Sequence, residues 1–363
     1  MSAKKKVIVG LSGGVDSSVA AYLLKKQGYD VAGVTMSIWG EGSPHIVSSG
    51  KHSCYGPDEK EEILEAQEIA RLLGIPHYVF DCSKRYKEMV LENFRSEYLA
   101  GRTPNPCVIC NQVIKFGMLP EIAKKEGLSF DHFATGHYAR VEKDSGRDRF
   151  VLRKALDLRK DQTYFLYRLS QEQLSKVLFP LGTLTKKEVR EIAAQIQLKL
   201  SEKDESQDFY SGDYKELLNI DEMPGDIVDR SGKVMGHHKG IWNYTIGQRK
   251  GLGIAYSEPL YVIALDKKKN QVIVGTKDEV MGSVFVVEGL NWISISSLNG
   301  SLHVSAKIRS ASRESEAMIE PLDKDTIKVE FLHPNDGITP GQSAVFYDGD
   351  IVVGGGTIKQ VEK

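Results

Sequence analysis

A loop of small residues near the N-terminus is the feature that most limits the fold. It reads Gly10-Leu11-Ser12-Gly13-Gly14-Val15-Asp16-Ser17-Ser18, between an apolar segment, Lys6–Gly10, and a helical pattern, Ser17–Gln27. Small residues let backbone N–H groups approach an anion closely, and a helix N-terminus favours negative charge. The order strand, glycine loop, helix therefore predicts a phosphate-binding loop. A glycine turn in which Asp16 only caps the helix is the alternative interpretation.

Side chains of the same loop suit a polyphosphate. Ser12, Ser17 and Ser18 offer hydroxyl donors, and Asp16 can hold a magnesium ion that screens the phosphates. The Lys-Ser/Thr pair of the common nucleotide P-loop is absent from this sequence segment. The usual pattern for γ-phosphate transfer therefore does not apply.

Strands and helices alternate through the first 140 residues. Such alternation predicts an α/β domain with a parallel sheet and helices on both faces. Ligands of these sheets bind beyond the carboxyl ends of the strands, here at the Gly10 loop and at Thr135-Gly136-His137. After the first strand and helix, the predicted elements are Val31–Ser37, Asp58–Leu73, His77–Cys82, Ser83–Leu99, Val113–Lys125 and Phe130–Gly136.

The pattern changes near Ser206. The last clear helix is Thr185–Leu198, and glycines and short β-type runs dominate afterwards. Short strands at such spacing favour a small linking domain and a C-terminal β-barrel. We therefore expect three domains: a catalytic domain over 1–206, a central linking domain over 207–275 and the barrel over 276–363. The predicted strands are Leu260–Leu265, Gln271–Val274, Val284–Val287, Val304–Ile308, Thr326–Phe331, Ser343–Tyr347 and Ile351–Gly354.

Charge and hydrophobicity bear on whether the protein binds nucleic acid and whether it enters a membrane. The formal net charge is −1, which alone argues weakly against a nucleic-acid partner. Between Arg140 and Lys203, 15 Lys and Arg residues outnumber nine Asp and Glu, so a basic region can meet phosphates. A solvated helical surface explains the same count. No apolar run approaches about 18 residues, and the N-terminus is too polar for a signal peptide, so we expect no membrane segment.

The cysteines indicate both a compartment and a reactive site. Four cysteines at irregular spacing favour a reducing cytoplasm over a disulfide framework. Two of them lie in Thr103-Pro104-Asn105-Pro106-Cys107-Val108-Ile109-Cys110-Asn111, where the prolines stiffen the approach to a Cys-x-x-Cys pair. We expect a helix to begin near Asn111 and its N-terminus to lower the thiol pKa. A zinc site or an iron–sulfur cluster would need more ligands, since Cys54 and Cys82 are not spaced as a second pair.

Joined in one chain, the loop and the cysteine pair resemble the tRNA-specific 2-thiouridylases, a family of PP-loop ATP pyrophosphatases. The resemblance extends over nearly the whole chain. Besides Gly10–Ser17 and Thr103–Asn111, it is carried by Ile114-Lys115-Phe116, Ala134–Ala139, Lys160–Leu166, Ser206-Gln207-Asp208, Gly236–Gly240, Tyr244–Gly253 and Pro340-Gly341-Gln342.

The resemblance implies a role for individual residues. Asp16, Cys107 and Cys110 become candidate catalytic residues, with Cys110 as the nucleophile. Asn105, Pro106 and Cys107 would line the target uracil. The residues implied to contact ATP are Gly10, Leu11, Ser12, Gly13, Gly14, Val15, Asp16, Ser17, Met36 and Gly136. Those implied to contact tRNA are His137, Lys160, Asp161, Gln162 and Gln342. Taken without the resemblance, Met36 and His137 are equally typical of a core, and Lys160 and Gln162 of a solvated surface.

The sequence departs from the family at two places. The family usually has a second catalytic cysteine shortly after the Ser-Gln-Asp segment, but here Glu205–Tyr214 contains none and is about three residues shorter. Our hypothesis is that Cys107 or Cys54 takes that role. In addition, Arg309-Ser310 stands where the family tends to have Arg-Tyr, which removes one stacking contact with RNA while Arg309 can still meet phosphate.

The resemblance implies ATP-dependent 2-thiolation of the wobble uridine in tRNA anticodons. ATP would adenylylate the uracil C2 oxygen, and a cysteine persulfide would supply sulfur. A cysteine desulfurase or sulfur-relay protein would have to deliver that sulfur, because the sequence gives no sign of a pyridoxal site. The alternatives are a PP-loop ligase that adenylylates a small molecule, and a non-catalytic RNA-binding protein that retains the loop.

Overall fold

The first strand of the chain lies inside a parallel sheet. The structure, a computed structural model, describes residues 4–40, 43, 53–196, 208–210, 212 and 214–362. In chain order the first elements are β1 (Lys6–Gly10), α1 (Val15–Lys26), β2 (Asp30–Ser37), β3 (Ser53–Tyr55), α2 (Glu59–Leu73), β4 (His77–Asp81), α3 (Ser83–Tyr86), a π-helical segment (Lys87–Leu91), α4 (Glu92–Leu99), α5 (Pro106–Ile109), a second π-helical segment (Cys110–Met118), α6 (Leu119–Lys125) and β5 (His132–Ala134).

The remaining elements are mostly strands. They are β6 (Ala139–Asp144), β7 (Arg149–Lys154), a 3-10 turn (Thr163–Phe165), α7 (Gln171–Lys176), β8 (Val177–Leu178), α8 (Lys186–Gln195), β9 (Asp208–Tyr210), α9 (Tyr214–Leu218), β10 (Gly225–Val228), β11 (Val234–His238), a 3-10 turn (Ile241–Asn243), β12 (Tyr261–Asp266), β13 (Gln271–Gly275), α10 (Lys277–Val280), β14 (Met281–Trp292), β15 (Leu302–Lys307), β16 (Ser315–Pro321), β17 (Thr326–Asp336), β18 (Ser343–Asp348) and β19 (Ile351–Glu362).

The described residues form two compact units. The first contains those within Met1–Leu91, Pro106–Glu216 and Asp350–Val352. The second contains those within Glu92–Asn105, Leu217–Gly349 and Val353–Lys363. The three-domain division at 206/207 and 275/276 stays a prediction.

The first unit is built on a five-stranded sheet in the order β4-β2-β1-β5-β8, and every neighbouring pair is parallel. Val9 of β1 pairs with Gly33 on one side and with Ala134 on the other. After β1 the chain forms β2 on one side of this strand, and later it forms β5 on the other side. The carboxyl ends of β1 and β5 therefore form the switch point at which such sheets bind ligands. Helices α1 and α2 bury Ala21, Ala66 and Ala70 against the sheet.

The second unit contains two all-β parts. One is a four-stranded sheet in the order β11-β10-β13-β12. The other is a barrel in the order β14-β17-β16-β15-β18-β19, which closes because β14 also pairs with β19, for example Phe285 with Val361. Its interior is filled by buried aromatic and branched side chains such as Phe285, Phe331 and Phe346. The predicted fold class, an α/β PP-loop domain followed by a linking domain and a C-terminal β-barrel, is confirmed.

Several predicted bounds were wrong for physical reasons. The helix expected to begin near Asn111 begins at Pro106, because proline suits the first turn of a helix, where its missing N–H is not needed. The strand expected over Phe130–Gly136 covers only His132–Ala134, so Gly136 lies in a loop. The predicted end of the Thr185 helix at Leu198 and the Ser206-Gln207 segment fall outside the described residues. In the described part of the chain, every helix is too short or too polar to cross a membrane.

Candidate active site

A cavity of about 330 Å³ opens at the carboxyl ends of β1, β2 and β5 within the first unit. Most of the residues predicted to contact ATP line it, together with two predicted to contact tRNA. The predicted residues on its wall are Gly10, Leu11, Ser12, Gly14, Val15, Asp16, Ser17, Met36, Gly136, His137 and Gln162. Cys107, Cys110, Lys160 and Asp161 belong to the same unit but are not part of this wall.

The glycine loop is held in shape by its own serines. The Ser12 N–H donates to Ser17 Oγ at 3.2 Å, and Ser17 Oγ donates to the Gly14 carbonyl at 3.2 Å. Gly13 has φ +74°, and a Cβ there would lie 2.8 Å from the Glu62 carbonyl oxygen, so only glycine fits. The loop therefore combines a left-handed turn with close backbone packing.

Helix α1 begins directly after this turn. Its N-cap residue is Gly14, which has no side chain to cap the first-turn N–H groups. Asp16 is not the cap, so the interpretation of the loop as a simple capped turn was wrong. Gly136 approaches the same helix end, where an added Cβ would lie 2.6 Å from the Ser17 nitrogen. The cavity thus has a helix N-terminus at its base, which is favourable for an anion.

Asp16 is paired with a lysine that the sequence patterns did not single out. Lys186 Nζ lies 2.7 Å and 2.9 Å from the two Asp16 carboxylate oxygens, and the Tyr138 hydroxyl donates to Asp16 Oδ1 at 2.9 Å. Mg²⁺ is commonly held by one or two carboxylates plus substrate phosphates, and Asp16 is a carboxylate on the cavity wall, so its binding of Mg²⁺ stays a prediction. Among the described residues there is no cluster of three or more His, Cys, Asp or Glu that could hold a metal ion.

Glu59 is a second residue of the cavity wall that the sequence patterns missed. Its carboxylate accepts hydrogen bonds from the Trp39 N–H at 2.8 Å and from the Ser37 hydroxyl at 2.7 Å. These bonds fix the chain where it leaves β2, just after Met36. Glu59 therefore shapes the wall that Met36 forms, and no local motif marks this role.

The loop after β5 is ordered by side-chain hydrogen bonds. Thr135 Oγ1 lies 2.7 Å from His137 Nδ1, and the Tyr138 N–H donates to Gln162 Oε1 at 2.9 Å. Burial, and secondarily the charge of Lys115, lowers the pKa of His137 well below its usual value. His137 is therefore a neutral imidazole near pH 7, able to hydrogen-bond but not to form an ion pair with phosphate.

The two other residues predicted to contact tRNA in this region differ from each other. The Asp161 carboxylate accepts from the Ala155 N–H at 3.0 Å and from the Thr163 hydroxyl at 2.6 Å, so it organises its own loop. Lys160 is half-buried, and its backbone N–H donates to the Asp157 carbonyl. Their contact with RNA stays a prediction.

The expected lowering of the Cys110 pKa is wrong. Because the helix begins at Pro106, Cys110 lies in its second turn and not at its N-terminus. Burial raises the pKa of Cys110 to about 11, and the positive charge of Lys115 offsets only part of this effect. The backbone hydrogen bonds of a π-helix join residues five apart, so Cys110 and Lys115 are neighbours along this segment. Lys115 and Cys54 both line the cavity, and both lie within electrostatic range of Cys110.

The three other cysteines lie near Cys110, and the fully buried Cys82 is within its electrostatic range. Cys54 is exposed and lines the cavity, and the next residue, Tyr55, stacks on Tyr86 with ring centroids 5.2 Å apart. Burial raises the pKa of Tyr86 well above its usual value, and the charges of Cys110, Cys54 and Cys107 add to this rise. Tyr86 therefore lies within electrostatic range of all three thiols.

The remaining predicted residues belong to the second unit. The Arg309 guanidinium donates to the Ile246 carbonyl at 2.6 Å and to the Thr339 hydroxyl at 2.8 Å, so it joins two loops of the protein itself. The Gln342 amide donates to the Thr103 and Pro104 carbonyls, just before Asn105. Contacts of these residues with tRNA stay predictions.

Comparison with known proteins identifies the family. Three family models match in order: a tRNA methyl transferase HUP domain over 5–210, a tRNA methyl transferase PRC-barrel domain over 217–276 and an aminomethyltransferase beta-barrel domain over 283–358. Among solved structures, NMN synthetase from Francisella tularensis matches 56% of this chain and 67% of its own, with 18% identity and a TM-score of 0.33. That structural likeness is too slight to inform the assignment.

Curated relatives match the whole chain. The tRNA-specific 2-thiouridylase MnmA of Endomicrobium trichonymphae is 53% identical over 99% of this chain and 100% of its own length. MnmA 1 of Caldanaerobacter subterraneus subsp. tengcongensis is 48% identical over 99% of both chains. Similarity of this extent, on a chain with the same glycine loop and cysteine pair, shows that the protein belongs to the family of tRNA-specific 2-thiouridylases.

Proposed function

We propose that this protein is a tRNA-uridine 2-sulfurtransferase that thiolates the wobble uridine with ATP and a cysteine-bound sulfur. Membership of the 2-thiouridylase family supports thiolation of a tRNA uridine. The observation that carries the proposal is that Cys110 lies within electrostatic range of Lys115 and Cys54, which line the cavity that contains the glycine loop. A phosphate cradle and a nucleophilic sulfur beside one cavity are what activation followed by sulfur attack requires.

The first step is activation of the base. The uracil C2 oxygen attacks the ATP α-phosphorus, the bond from that phosphorus to the β-phosphate oxygen breaks, and the N3 proton passes to solvent. Pyrophosphate leaves with the bonding electron pair. The backbone of the Gly10–Ser18 loop and the N-terminus of α1 stabilise the negative charge that develops there. A magnesium ion held by Asp16 would supply further charge neutralisation.

The second step is sulfur transfer. The terminal sulfur of a Cys110 persulfide adds to C2, and AMP leaves with the former C2 oxygen. A second thiol then attacks the Cys110 sulfur, so a disulfide forms and the 2-thio base is released with the electron pair. A dithiol reductant restores the enzyme. Both Cys107 and Cys54 lie within electrostatic range of the same tyrosine as Cys110, which makes them the candidates for the second thiol.

The raised pKa of Cys110 has a consequence for this chemistry. With a pKa of about 11, the thiol is almost entirely protonated at pH 7 and is a poor nucleophile. A persulfide is more acidic than a thiol, so sulfur loading would create the reactive anion. In this proposal a cysteine desulfurase or a sulfur-relay protein delivers the sulfur that loads Cys110.

The decisive experiment measures 2-thiouridine by mass spectrometry of tRNA nucleosides. A strain without the gene is complemented with the wild-type protein, Cys110→Ser or Cys82→Ala. Cys82 is fully buried within electrostatic range of Cys110, so it tests whether loss of a neighbouring thiol that cannot reach the cavity has the same effect. We expect 2-thiouridine with the wild type and the control but not with Cys110→Ser. Unchanged 2-thiouridine in the deletion strain would refute the proposal.

The role of the second thiol needs a separate experiment. Cys54→Ser and Cys107→Ser are assayed in single turnover with a sulfur-loaded enzyme and ATP. We expect one of the two to stop before release of the 2-thio base, whereas the other retains activity. Full activity of both variants would show that neither Cys54 nor Cys107 is the second thiol. Activity of the purified protein on a small carboxylate in the absence of tRNA would favour the ligase alternative.

A further inference from the structure

A short series of hydrogen bonds runs from the outer part of the parallel sheet to the glycine loop. The Thr35 hydroxyl, near the end of β2, donates to the Leu11 carbonyl at 2.7 Å. The same hydroxyl oxygen lies 2.8 Å from Nε2 of His77, which belongs to β4, the outermost strand of the described sheet. Thr35 is 7% exposed and Leu11 3% exposed, so water hardly reaches their hydrogen bond. We call this series, from His77 through Thr35 to Leu11, the sheet relay.

The direction of the sheet relay follows from its hydrogen atoms. A carbonyl only accepts, so the single hydroxyl hydrogen of Thr35 points to Leu11. The Thr35 oxygen therefore accepts from His77, and His77 Nε2 carries a proton. Burial lowers the pKa of His77 below its usual value, so the ring is neutral near pH 7 and its other nitrogen, Nδ1, has no proton. The opposite tautomer would draw the hydroxyl hydrogen to His77 and deprive the Leu11 carbonyl of this donor.

Leu11 is the residue through which the sheet relay acts on the glycine loop. The Leu11 N–H donates to the Val34 carbonyl at 2.8 Å, so β2 fixes both backbone groups of Leu11. In a planar trans peptide the C=O and the following N–H point in opposite directions. Because the Leu11 carbonyl faces Thr35, the Ser12 N–H faces the other way and donates to Ser17 Oγ at 3.2 Å. Ser12 and Ser17 line the cavity, so the sheet relay decides which side of this peptide faces the anion site.

The packing around Gly33 brings the members of the sheet relay together. A Cβ added to Gly33 would lie 2.5 Å from Leu11 Cδ1 and 3.1 Å from His77 Cδ2. Gly33 pairs with His77 between β2 and β4, and its N–H donates to the Pro76 carbonyl at 2.8 Å. The missing side chain therefore lets the Leu11 side chain and the His77 ring occupy the same side of β2.

We propose that Thr35 and His77 are positioning residues for ATP, because the sheet relay keeps the Leu11–Ser12 peptide turned with its N–H towards the phosphates. The inference rests on the proposed function, since it assumes that ATP enters this cavity. Without the Thr35 hydroxyl, the buried Leu11 carbonyl loses this donor, and the peptide can turn its oxygen towards the cavity. A carbonyl oxygen there repels phosphate. Only the molecules that keep the original peptide orientation then bind ATP, and the apparent affinity falls by that fraction.

Equilibrium binding of ATP, pyrophosphate and AMP tests the role of Thr35. The ligands are titrated into the wild type, Thr35→Val, Thr35→Ser and the control Thr183→Val, which changes an exposed threonine of the same unit. Thr35→Val keeps the shape of the side chain without the hydroxyl, and we expect it to weaken ATP and pyrophosphate about tenfold. AMP lacks the two phosphates that the loop would hold, so its affinity should not change. Thr35→Ser restores the hydroxyl and, like the control, should bind as the wild type does.

The tautomer of His77 gives a readout that does not depend on binding. Nitrogen-15 NMR of the protein with labelled histidine at pH 8 should show the proton on Nε2, and the missing signal in His77→Gln assigns the ring. A glutamine amide can still donate to Thr35, so His77→Gln should keep the affinity for pyrophosphate. His77→Leu cannot donate and should weaken pyrophosphate about threefold. A wild-type ring with its proton on Nδ1 would overturn the inference.

The remaining outcomes separate this inference from the proposed function. If Thr35→Val binds ATP and pyrophosphate like the wild type, or weakens AMP equally, the inference is wrong, while thiolation by the wild type can still stand. Melting temperatures show whether each variant is folded. If Thr35→Val does not fold, His77→Leu and His77→Gln decide, and equal affinity of both for pyrophosphate would contradict the sheet relay. If the wild type itself binds neither ATP nor pyrophosphate, the proposed function and the inference both fail.

Discussion

Gln342, in the barrel-forming part of the chain, holds Thr103 in place. Its side-chain amide donates to the Thr103 carbonyl at 3.0 Å and to the Pro104 carbonyl at 3.2 Å. The Thr103 N–H in turn donates to the Pro340 carbonyl at 2.9 Å, and Gly341 approaches Thr103 so closely that a Cβ would lie 2.9 Å from its nitrogen. The Pro340-Gly341-Gln342 turn therefore clamps the segment directly before Asn105.

A Gln342→Leu variant should lose catalysis more than substrate affinity. Removing the amide leaves two backbone carbonyls without their donor, and this loosens the segment that leads to the predicted uracil-binding residues. We expect kcat for thiolation to fall about tenfold, since each such hydrogen bond contributes on the order of 1 kcal/mol. The KM for tRNA should change little. Steady-state kinetics with purified tRNA measure both constants.

The control for this variant is Gln360→Leu, an exposed glutamine of the same barrel. It should behave as the wild type. If Gln342→Leu instead raises the KM for tRNA and leaves kcat unchanged, the glutamine contacts RNA directly and the clamp is of no consequence for catalysis.

Gly136→Ala should abolish ATP binding. A Cβ at this position would lie 2.6 Å from the Ser17 nitrogen and 2.7 Å from the Asp16 carbonyl carbon, which are backbone atoms of a helix and cannot move aside. Overpacking of this kind costs about 1–3 kcal/mol and would push the N-terminus of α1 out of position. Isothermal titration with ATP and a thermal melt measure the two effects. Gly300→Ala, with no atom within 4 Å of the new Cβ, should change neither.

The sequence could predict the sheet and the loop because both depend on local signals. The strand Lys6–Gly10 and the glycine turn are short-range patterns. The structure has the strand at its predicted bounds and begins the following helix two residues earlier than predicted, at Val15. The barrel strands were found, except Ser315–Pro321, which has only Ala317 and Ile319 as buried residues between Glu316 and Glu320. The hairpin of β6 and β7 also went unpredicted, because charged residues occupy its exposed positions.

The site was harder to predict because its partners come from distant segments. Lys186 is 170 residues from Asp16 in the chain, and no pattern in either segment indicates the pairing. The one available signal was the pair of basic residues at Lys186 and Arg190, four apart on a predicted helix. The predicted lowering of the Cys110 pKa was wrong for a related reason. Burial by other elements, and not the position within the helix, decides that value.

The thiol of Cys110 should be slow to alkylate at neutral pH. A pKa of about 11, compared with the ordinary value of 9.0, reduces the thiolate fraction at pH 7 about 100-fold. Alkylation by iodoacetamide should therefore accelerate with pH until about pH 11, as followed by peptide mass spectrometry. The exposed Cys54 of the same protein is the internal reference and should react much faster at pH 7. Rapid alkylation of Cys110 at pH 7 that no longer increases above pH 8 would contradict the raised pKa.

The stability of the protein should decrease in mild acid because partly buried histidines stay neutral in the folded state. Burial lowers the pKa of His137 well below 6.5. Burial also lowers the pKa of His77 below 6.5. Below pH 6.5 the unfolded chain takes up protons that the folded chain does not bind, so the free energy of unfolding falls as the pH drops towards the folded-state pKa. The effect is absent above pH 6.5, where both states carry neutral imidazoles.

We expect melting temperatures to be level between pH 7 and 8 and to decrease from pH 6.5 to 5. His137→Asn removes one titrating group, so its melting temperature should decrease less steeply over that acidic range, whatever its value at pH 7.5. His303→Asn is the control, because this ring is more than half exposed. If His137→Asn and the wild type lose stability in parallel between pH 6.5 and 5, His137 takes up a proton equally in both states and is not buried as a neutral ring beside Thr135.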